Sequence, residues 1–315
     1  MKENIYKLIF TIILIAGVFF SFFIFNRANV YKVEILKAQL DEGDVEKIRK
    51  EEILTQNDLD QILEELKLFK RISCKKEIQS EVGLGTILEI DKNFFEKNTK
   101  EVKPIASLTK LMTAVVALEN LNDDEIIYIS KRAEAAFGDF GNFKWGEGFS
   151  LKDLINGMLL SSSNDAAVAL AEKIGVKQFI NLMNRKAKEI GMKNTIFYDP
   201  TGLSVSNRST AEDLLKLVNY ILSNHPKIFE ITREPQIVIK EVNTQKEKII
   251  RNENKLVKNN AFLGGKTGFL LNIQKGGMLS LFRFSNYTVL IVILDGDWEA
   301  RYKDTLNILS CLSIH

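Results

Sequence analysis

Histidine is almost absent from this sequence of 315 residues, which contains only two. His225 precedes a proline and His315 is the last residue, so neither lies in a recognisable motif. A serine hydrolase with a histidine base, or a hydrolytic zinc site, would have to be built from these two side chains. If the chain is a serine enzyme, we therefore expect a base other than histidine, with no metal and no cofactor.

Cysteine is equally scarce, because Cys74 and Cys311 are the only two. Their separation in sequence excludes a zinc knuckle formed by neighbouring cysteines. They could be two free thiols or one disulfide that joins the two ends of the chain.

An excess of charge of one sign is also missing. The sequence has 43 basic and 41 acidic residues, a formal net charge of +2, and they are intermingled along the chain. This distribution argues against nucleic acid as a partner. The length and the 45% hydrophobic content suffice for one catalytic domain with an appendage.

One long apolar run is present near the start of the chain. It extends from Leu8 to Phe25 without a charged residue, after Lys2 and Lys7. Its length approaches that of a helix that crosses a bilayer. We predict that residues 1–27 form an uncleaved signal anchor, a single transmembrane helix that places the rest of the protein outside the cytoplasm. The alternative is a cleaved signal peptide and a secreted protein.

The segment 28–72 is rich in charged residues and predicts a helical stalk between this anchor and a catalytic domain at 73–315. An amphipathic helix is expected near the end of the stalk because apolar residues recur there at helical spacing. These residues are Leu59, Ile62, Leu63, Leu66 and Phe69.

Helical periodicity fills the middle of the catalytic domain, and strand signals lie on both sides of it. The predicted helices are 108–120, 151–160, 166–174, 177–190, 210–223 and 298–312. The second and the fifth are expected to start at the caps Ser150-Leu-Lys-Asp153 and Thr210-Ala-Glu-Asp213. The predicted strands are 82–90, a stretch around 94–95, 237–242, 248–251, one that begins at Gly264, 278–282 and 287–294. This order predicts an α+β fold (an α/β sandwich), an antiparallel sheet flanked by helices with a helical subdomain.

The first candidate catalytic pair is Ser107 and Lys110, at the start of the helix that ends at Asn120. Positions i and i+3 of a helix are neighbours, so the two side chains can touch. A serine becomes a nucleophile when a base removes its proton, and a lysine can be that base if burial or a nearby cation keeps it neutral. The pattern Ser-x-x-Lys is weak alone, and Ser73-Cys-Lys-Lys76 repeats it in a charged stretch.

Two further polar clusters lie beside apolar segments. Ser162 and Asn164 belong to a polar turn before a helix, and Lys266-Thr267-Gly268 opens a strand. Taken singly, the first cluster is typical of a helix N-cap and the second of a turn into a strand.

Together, in this order, the three clusters resemble the motifs of the penicillin-binding serine D-alanyl-D-alanine carboxypeptidases, which are Ser-x-x-Lys, Ser-x-Asn and Lys-Thr-Gly. The resemblance extends to neighbouring sequence and covers about 81–310, although Ser163 stands where the family often has glycine. The segments that carry it are 106–114, 159–166, 184–192 and 199–203. It implies a fold similar to that of β-lactamases and DD-peptidases.

The resemblance also implies roles for individual residues. The catalytic residues would be the nucleophile Ser107, the base Lys110 and the proton donor Ser162. The substrate-binding residues would be Asn164, Lys266, Thr267, Gly268 and Phe269. The backbone N–H groups of Ser107 and Phe269 would form the oxyanion hole.

The function implied is that of a membrane-anchored, penicillin-sensitive carboxypeptidase, which removes the terminal D-alanine from peptidoglycan stem peptides. Its partners would be the stem peptide, β-lactam antibiotics and the bacterial membrane. The alternatives are a DD-endopeptidase with the same residues and a non-catalytic module that senses penicillin or binds the wall. A class A β-lactamase is disfavoured because the stretch Tyr198-Asp-Pro200 lacks the deacylating glutamate of that class.

Overall fold

A computed structural model describes residues 73–138 and 141–314 of the chain. The predicted signal anchor at 1–27 and the predicted stalk at 28–72 lie outside these residues. Within the described ranges, no helix combines the length and the apolar character needed to cross a bilayer.

Five antiparallel strands form the main sheet, in the order β2-β1-β11-β10-β9. Their bounds are β1 Val82–Ile87, β2 Lys92–Lys97, β9 Phe262–Leu270, β10 Lys275–Phe284 and β11 Tyr287–Gly296. Strands β10 and β11 are apolar over most of their length, as expected for strands that are buried on both faces. Strand β9 stands at one end of this order, a position that later matters for the site.

Three smaller antiparallel pairs of strands connect the remaining elements. They are β3 Lys103–Pro104 with β6 Arg208–Ser209, β4 Ile126–Tyr128 with β5 Gly148–Ser150, and β7 Gln236–Lys240 with β8 Glu247–Arg251.

Eight α-helices are present in the described part of the chain. They are α1 Thr109–Asn120, α2 Lys131–Glu134, α3 Leu151–Leu160, α4 Asn164–Ile174, α5 Val176–Glu189, α6 Ala211–Asn224, α7 Lys227–Arg233 and α8 Ala300–Leu309. The caps expected from the sequence start α3 and α6, because Ser150 Oγ accepts from Asp153 N and Thr210 Oγ1 accepts from Asp213 N, each at 3.1 Å.

The two faces of the sheet are covered by different helices. Alternate residues of a strand point to opposite faces. Leu279 and Leu281 of β10 belong to one buried apolar cluster with the helices α1, α3, α4, α5 and α6. Met278, which precedes Leu279 and so points to the opposite face, has its Sδ 3.4 Å from Thr305 Oγ1 of α8. The expected α+β class, with a sheet flanked by helices and a helical subdomain, is confirmed.

Several predicted boundaries were wrong. The strand predicted over 82–90 ends at Ile87, where a 3₁₀ turn at Leu88–Ile90 replaces it. The closing helix begins at Ala300 rather than at 298, and it passes into a 3₁₀ turn at Ser310–Ile314. Helix α7 was not predicted, because seven residues between two prolines are too few to show a clear helical period.

The two cysteines form a disulfide, which decides between the alternatives that the sequence left open. Cys74 precedes β1 and Cys311 follows α8, so the bond joins the beginning of the described chain to its last helix.

Candidate active site

Ser107 lies in a 3₁₀ turn, Ala106–Leu108, that leads directly into α1. The turn is held in an unusual conformation, since Ala106 has φ +49°, which is rare for a residue with a side chain. Gly202 of a facing loop packs against this turn so closely that a Cβ on it would lie 2.0 Å from Ala106 O. The facing loop therefore fixes the backbone next to Ser107, while Ser107 itself remains partly accessible.

Lys110 projects from the first turn of α1 and is fully buried. Its Nζ lies 3.0 Å from Ser107 Oγ, 2.6 Å from Asn164 Oδ1 and 2.5 Å from the backbone oxygen of Thr201. The amide oxygen and the carbonyl oxygen can only accept hydrogen bonds. A neutral amine has two N–H donors and one lone pair, so it can donate to both oxygens and accept the proton of Ser107 with its lone pair. The three contacts thus suit an uncharged base.

Electrostatics favours the same protonation state. Burial is the main cause that holds the pKa of Lys110 well below the usual value for lysine, and the charge of Lys266 lowers it further. Asp199 and Asp165 oppose this effect and raise the pKa, but they do not outweigh burial. A lysine whose amine is neutral can act as a general base.

Ser162 and Asn164 are placed by the turn between α3 and α4. Ser163 is the N-cap of α4, where its Oγ accepts from Ala166 N at 3.1 Å. Ser162, just before it, has φ +61°, and Asn164 is the first residue of the helix. The N-cap interpretation therefore applies to Ser163, and the residues on either side of it remain free to face the site.

Lys266 enters the site from β9 and contacts the second serine. Its Nζ lies 2.9 Å from Ser162 Oγ and 3.0 Å from Thr267 O, and its side chain is buried. Burial, followed by the charge of Arg301, lowers the pKa of Lys266 to about 7, although Glu253 partly opposes the change. Near neutral pH this amine can therefore give or take a proton at Ser162.

Strand β9 and the turn of Ser107 approach each other at Gly268. A Cβ on Gly268 would lie 2.8 Å from Ser107 N and 2.9 Å from Ala106 Cβ, so any larger residue would push the two segments apart. Thr267 and Phe269, on either side of Gly268, both line the same cleft as Ser107. The oxyanion-hole role of Ser107 N and Phe269 N remains a prediction.

These residues surround a cleft of about 670 Å³. Its lining combines the candidate residues with apolar side chains from β9, from three loops and from the segment before α8. The apolar side chains are Phe137, Leu203, Phe269, Leu270, Leu271 and Trp298. All eight predicted site residues thus lie at or directly beside one cleft, whereas no group of three or more metal-binding side chains is found in the part of the chain that the structure describes.

The sequence analysis missed Arg301. This side chain on α8 is 2% exposed, and its Nη1 donates to Gly268 O at 2.6 Å. It also lies over the ring of Trp298, with 4.3 Å between Cζ and the ring centroid. Its only signal in the sequence is a basic residue between two aromatic residues, Trp298 and Tyr302, which is too weak to single out.

The loop that contains Thr201 was also assigned no role, although its sequence, Asp199-Pro-Thr-Gly, carries part of the resemblance. Asp199 organises the loop: Oδ1 accepts from Thr201 N and from Gly202 N, each at 2.7 Å, and Oδ2 accepts from Ser204 N at 2.9 Å. This arrangement presents Thr201 O to Lys110.

Known proteins resemble this chain at both the sequence and the structural level. The profile of the D-alanyl-D-alanine carboxypeptidase family matches residues 74–295. The D-alanyl-D-alanine endopeptidase of Pseudomonas aeruginosa is 42% identical over 150 residues, which are 45% of this chain and 48% of that protein. The D-alanyl-D-alanine carboxypeptidase DacF of Bacillus subtilis is 33% identical over 204 residues, 61% of this chain and 52% of that protein.

The crystal structure of the Streptomyces K15 DD-transpeptidase matches with a TM-score of 0.70 and 26% identity, over 76% of this chain and 99% of that one. The penicillin-binding fold implied by the sequence resemblance is therefore confirmed. The chain spans about half the length of the two curated relatives.

Proposed function

Because this chain belongs to the D-alanyl-D-alanine carboxypeptidase family, we propose that it is a serine-type DD-carboxypeptidase of the cell wall, sensitive to penicillin. The observation that carries the proposal is the fully buried Lys110, whose Nζ lies 3.0 Å from Ser107 Oγ, beside the edge strand β9, which bears Lys266 and Thr267. The first pair supplies a nucleophile and its base, and the second pair supplies donors for a terminal carboxylate.

The substrate would be a peptidoglycan stem peptide that ends in D-alanyl-D-alanine. An extended peptide can lie along the end strand β9, with its terminal carboxylate at Thr267 and Lys266. The scissile carbonyl carbon is then next to Ser107, and its oxygen faces the N–H groups of Ser107 and Phe269. The acyl part of the peptide continues along the apolar wall of the cleft.

In the acylation step, Lys110 takes the proton of Ser107 while Oγ attacks the carbonyl carbon. Ser162 Oγ then gives a proton to the leaving amine, and the proton that Lys110 took from Ser107 returns to Ser162 through Lys266, so that both lysines are neutral again. The C–N bond breaks, D-alanine departs, and an ester remains on Ser107. Water hydrolyses this ester with Lys110 again as the base, which releases the shortened peptide. A β-lactam would acylate Ser107 by the same route.

A DD-endopeptidase is the second candidate, because the Pseudomonas aeruginosa relative with 42% identity carries that name. It would use the same residues on a cross-link between two stems, with a whole stem peptide as the leaving group. A non-catalytic sensor is disfavoured, because all three polar clusters are intact and meet at one cleft, with Ser162 in contact with Lys266 and Asn164 in contact with Lys110.

We further propose that residues 1–27 anchor the protein in the membrane as a single span, with the catalytic domain outside the cytoplasm. The uninterrupted apolar run from Leu8 to Phe25 supports this location. The disulfide Cys74–Cys311 supports it independently, because structural disulfides are typical of oxidising compartments outside the cytoplasm.

The test of the activity is the release of D-alanine from diacetyl-Lys-D-Ala-D-Ala by the full chain. We expect release by the wild type and none by the Ser107→Ala variant. A cross-linked stem-peptide dimer, assayed in parallel, separates the two candidates. Cleavage of the dimer alone would establish the endopeptidase, whereas no turnover of either substrate would contradict the proposed function.

A further inference from the structure

Helix α8 is fastened at its C-terminal end to the segment that precedes β1. The disulfide joins Cys311, just beyond the helix, to Cys74. Two residues along from Cys74, Lys76 Nζ donates to Ser310 Oγ at 2.5 Å. The position of this end of the helix therefore depends on the segment 74–80, which is distant in sequence from every catalytic motif.

A buried carboxylate fastens the middle of the same helix to the same segment. Asp304 is 1% exposed, its Oδ1 accepts from Gln79 N at 3.2 Å, and its Oδ2 accepts from Ser80 N at 2.8 Å and from Ser80 Oγ at 2.6 Å. Hydrogen bonds to a charged acceptor are stronger than neutral ones, so this contact fixes α8 firmly. The mechanism described above makes no use of this carboxylate.

One turn before Asp304, the helix reaches the active site through Arg301. Its Nη1 donates to Gly268 O of the Lys-Thr-Gly strand at 2.6 Å. The neighbouring strand leaves room for this contact, since a Cβ on Gly276 would lie 2.2 Å from the same oxygen. Gly268 in turn lies against Ser107 N. A continuous series of contacts thus runs from the segment 74–80 through α8 to the nucleophile.

We propose that Asp304 and the disulfide Cys74–Cys311 are positioning elements of the active site, an inference that rests on the proposed function. They hold α8 so that Arg301 fixes β9 against Ser107 and keeps its charge beside Lys266. Because a displacement of about 1 Å at a reacting group can cost up to about 100-fold in rate, loosening α8 should impair catalysis without touching a catalytic residue.

The charge of Arg301 gives this role a specific signature. Lys266 interacts electrostatically with three charged or titratable groups. They are Arg301 from α8, Glu253 from the segment after β8, and Lys110 from α1. Only Arg301 belongs to the fastened helix. If α8 moves away, the pKa of Lys266 should rise above about 7, because a neighbouring cation that lowers it has withdrawn.

The test compares Asp304→Asn and the double variant Cys74→Ser/Cys311→Ser with Asp213→Asn in the full chain. Asp213 is a matched control, because it is also a buried helical carboxylate that accepts from a backbone N–H, that of Asn194 at 2.7 Å, but it lies on α6 and does not line the cleft. Each variant is measured for its second-order rate of acylation by fluorescent penicillin across pH, for D-alanine release and for thermal unfolding.

We expect Asp304→Asn and the double serine variant to be acylated about tenfold more slowly, with the acid limb of the pH profile displaced to higher pH. Asp213→Asn should unfold at a lower temperature, but the acid limb of its pH profile should stay at the wild-type position. If a variant fails to fold, reduction of the folded wild type serves instead, since the chain contains no other cysteine.

Reduced stability with an unchanged pH profile and an unchanged acylation rate in the altered or reduced proteins would overturn the inference. If the wild type is acylated but releases no D-alanine, the carboxypeptidase activity fails while acylation still decides this proposal. A wild type that penicillin does not acylate would overturn both.

Discussion

Segments 73–76 and 107–110 contain the same spacing of serine and lysine, and the structure places them in opposite surroundings. Ser73 and Lys76 are exposed and lie in a stretch without helix or strand, where Lys76 Nζ contacts Ser310 Oγ. Ser107 and Lys110 lie at the start of a helix, where Lys110 is fully buried and touches Ser107. The sequence spacing is identical, and only the second pair is in contact.

The difference shows which conditions a serine and a lysine at this spacing need in order to form a catalytic pair. A helix brings positions i and i+3 to the same side, burial removes the charge of the lysine, and two fixed oxygens orient its lone pair. The first segment has the spacing but lies outside a helix and in solvent. It instead supplies the disulfide and the contact that fasten α8.

The largest effect is expected from the removal of Lys110. Lys110→Ala removes the base from Ser107, and we expect the rate of acylation by penicillin to fall about 10³-fold. Lys76→Ala is the matched control. It removes one exposed contact to Ser310 but leaves the disulfide and Asp304 in place, so its acylation rate should stay within a few-fold of the wild type. Similar losses in the two variants would contradict the distinction between the two segments.

The next largest effect should follow from removing an oxygen that orients Lys110. Gly202→Ala places a Cβ 2.0 Å from Ala106 O at φ +85°, so the loop must shift and carry Thr201 O away from Lys110. We expect an acylation rate lower by about 100-fold. Gly175→Ala is the matched control, since it has a similar φ of +99° but no atom within 4 Å of the added Cβ.

For this pair of variants, both should lose stability because alanine is strained at positive φ. Only Gly202→Ala should be acylated more slowly than the wild type. Equal rates in the two variants would mean that the loop does not orient the base.

The pH dependence of the acylation rate reports the protonation state of the two buried amines. Acylation moves a proton onto Lys110, and a protonated Lys266 beside it opposes that step. The pKa of Lys266 is lowered to about 7, and that of Lys110 lies well below its usual value. The rate should therefore rise with pH through about 7 and fall about tenfold for each unit of pH below it. A midpoint near the usual lysine value of 10.5 would show that Lys110 is an ordinary exposed base.

The smallest effect concerns the cap between Ser162 and Asn164. Ser163→Ala removes the hydrogen bond to Ala166 N and should cost about 1 kcal/mol of the free energy of unfolding. The same loss is expected for Ser150→Ala at the start of α3, measured by urea unfolding. Acylation should slow only in the first variant, and only by a few-fold, because Asn164 orients Lys110. A large loss of rate in Ser150→Ala would indicate that unfolding, not orientation, limits the assay.

Much of the fold followed from periodicity and caps. The helices that begin after Ser150 and Thr210 start where these residues predict, because local hydrogen bonds to the backbone fix a helix N-terminus. The order of strands in the sheet was not predictable in detail, since β1 pairs with β11 from the far end of the chain. Such pairing depends on tertiary packing rather than on local sequence.

For the site, motifs identified the residues that face the substrate, but not those that hold them in place. Thr201 contributes a backbone oxygen, which any residue could supply, so its identity carries no signal. Arg301 and Asp304 belong to α8, but they contact Gly268 of β9 and the segment before β1, which are both distant from α8 in sequence. Their roles became visible only from the contacts in three dimensions.

Of the two serine-lysine segments, only 107–110 should supply a nucleophile, Ser107, and the position of a penicillin adduct tests this expectation. We would incubate the full chain with penicillin, digest it and locate the adduct by mass spectrometry. We expect one penicilloyl group on the peptide that contains Ser107 and none on the peptide that contains Ser73. An adduct on Ser73 or Ser162, or unmodified protein after prolonged incubation, would contradict it.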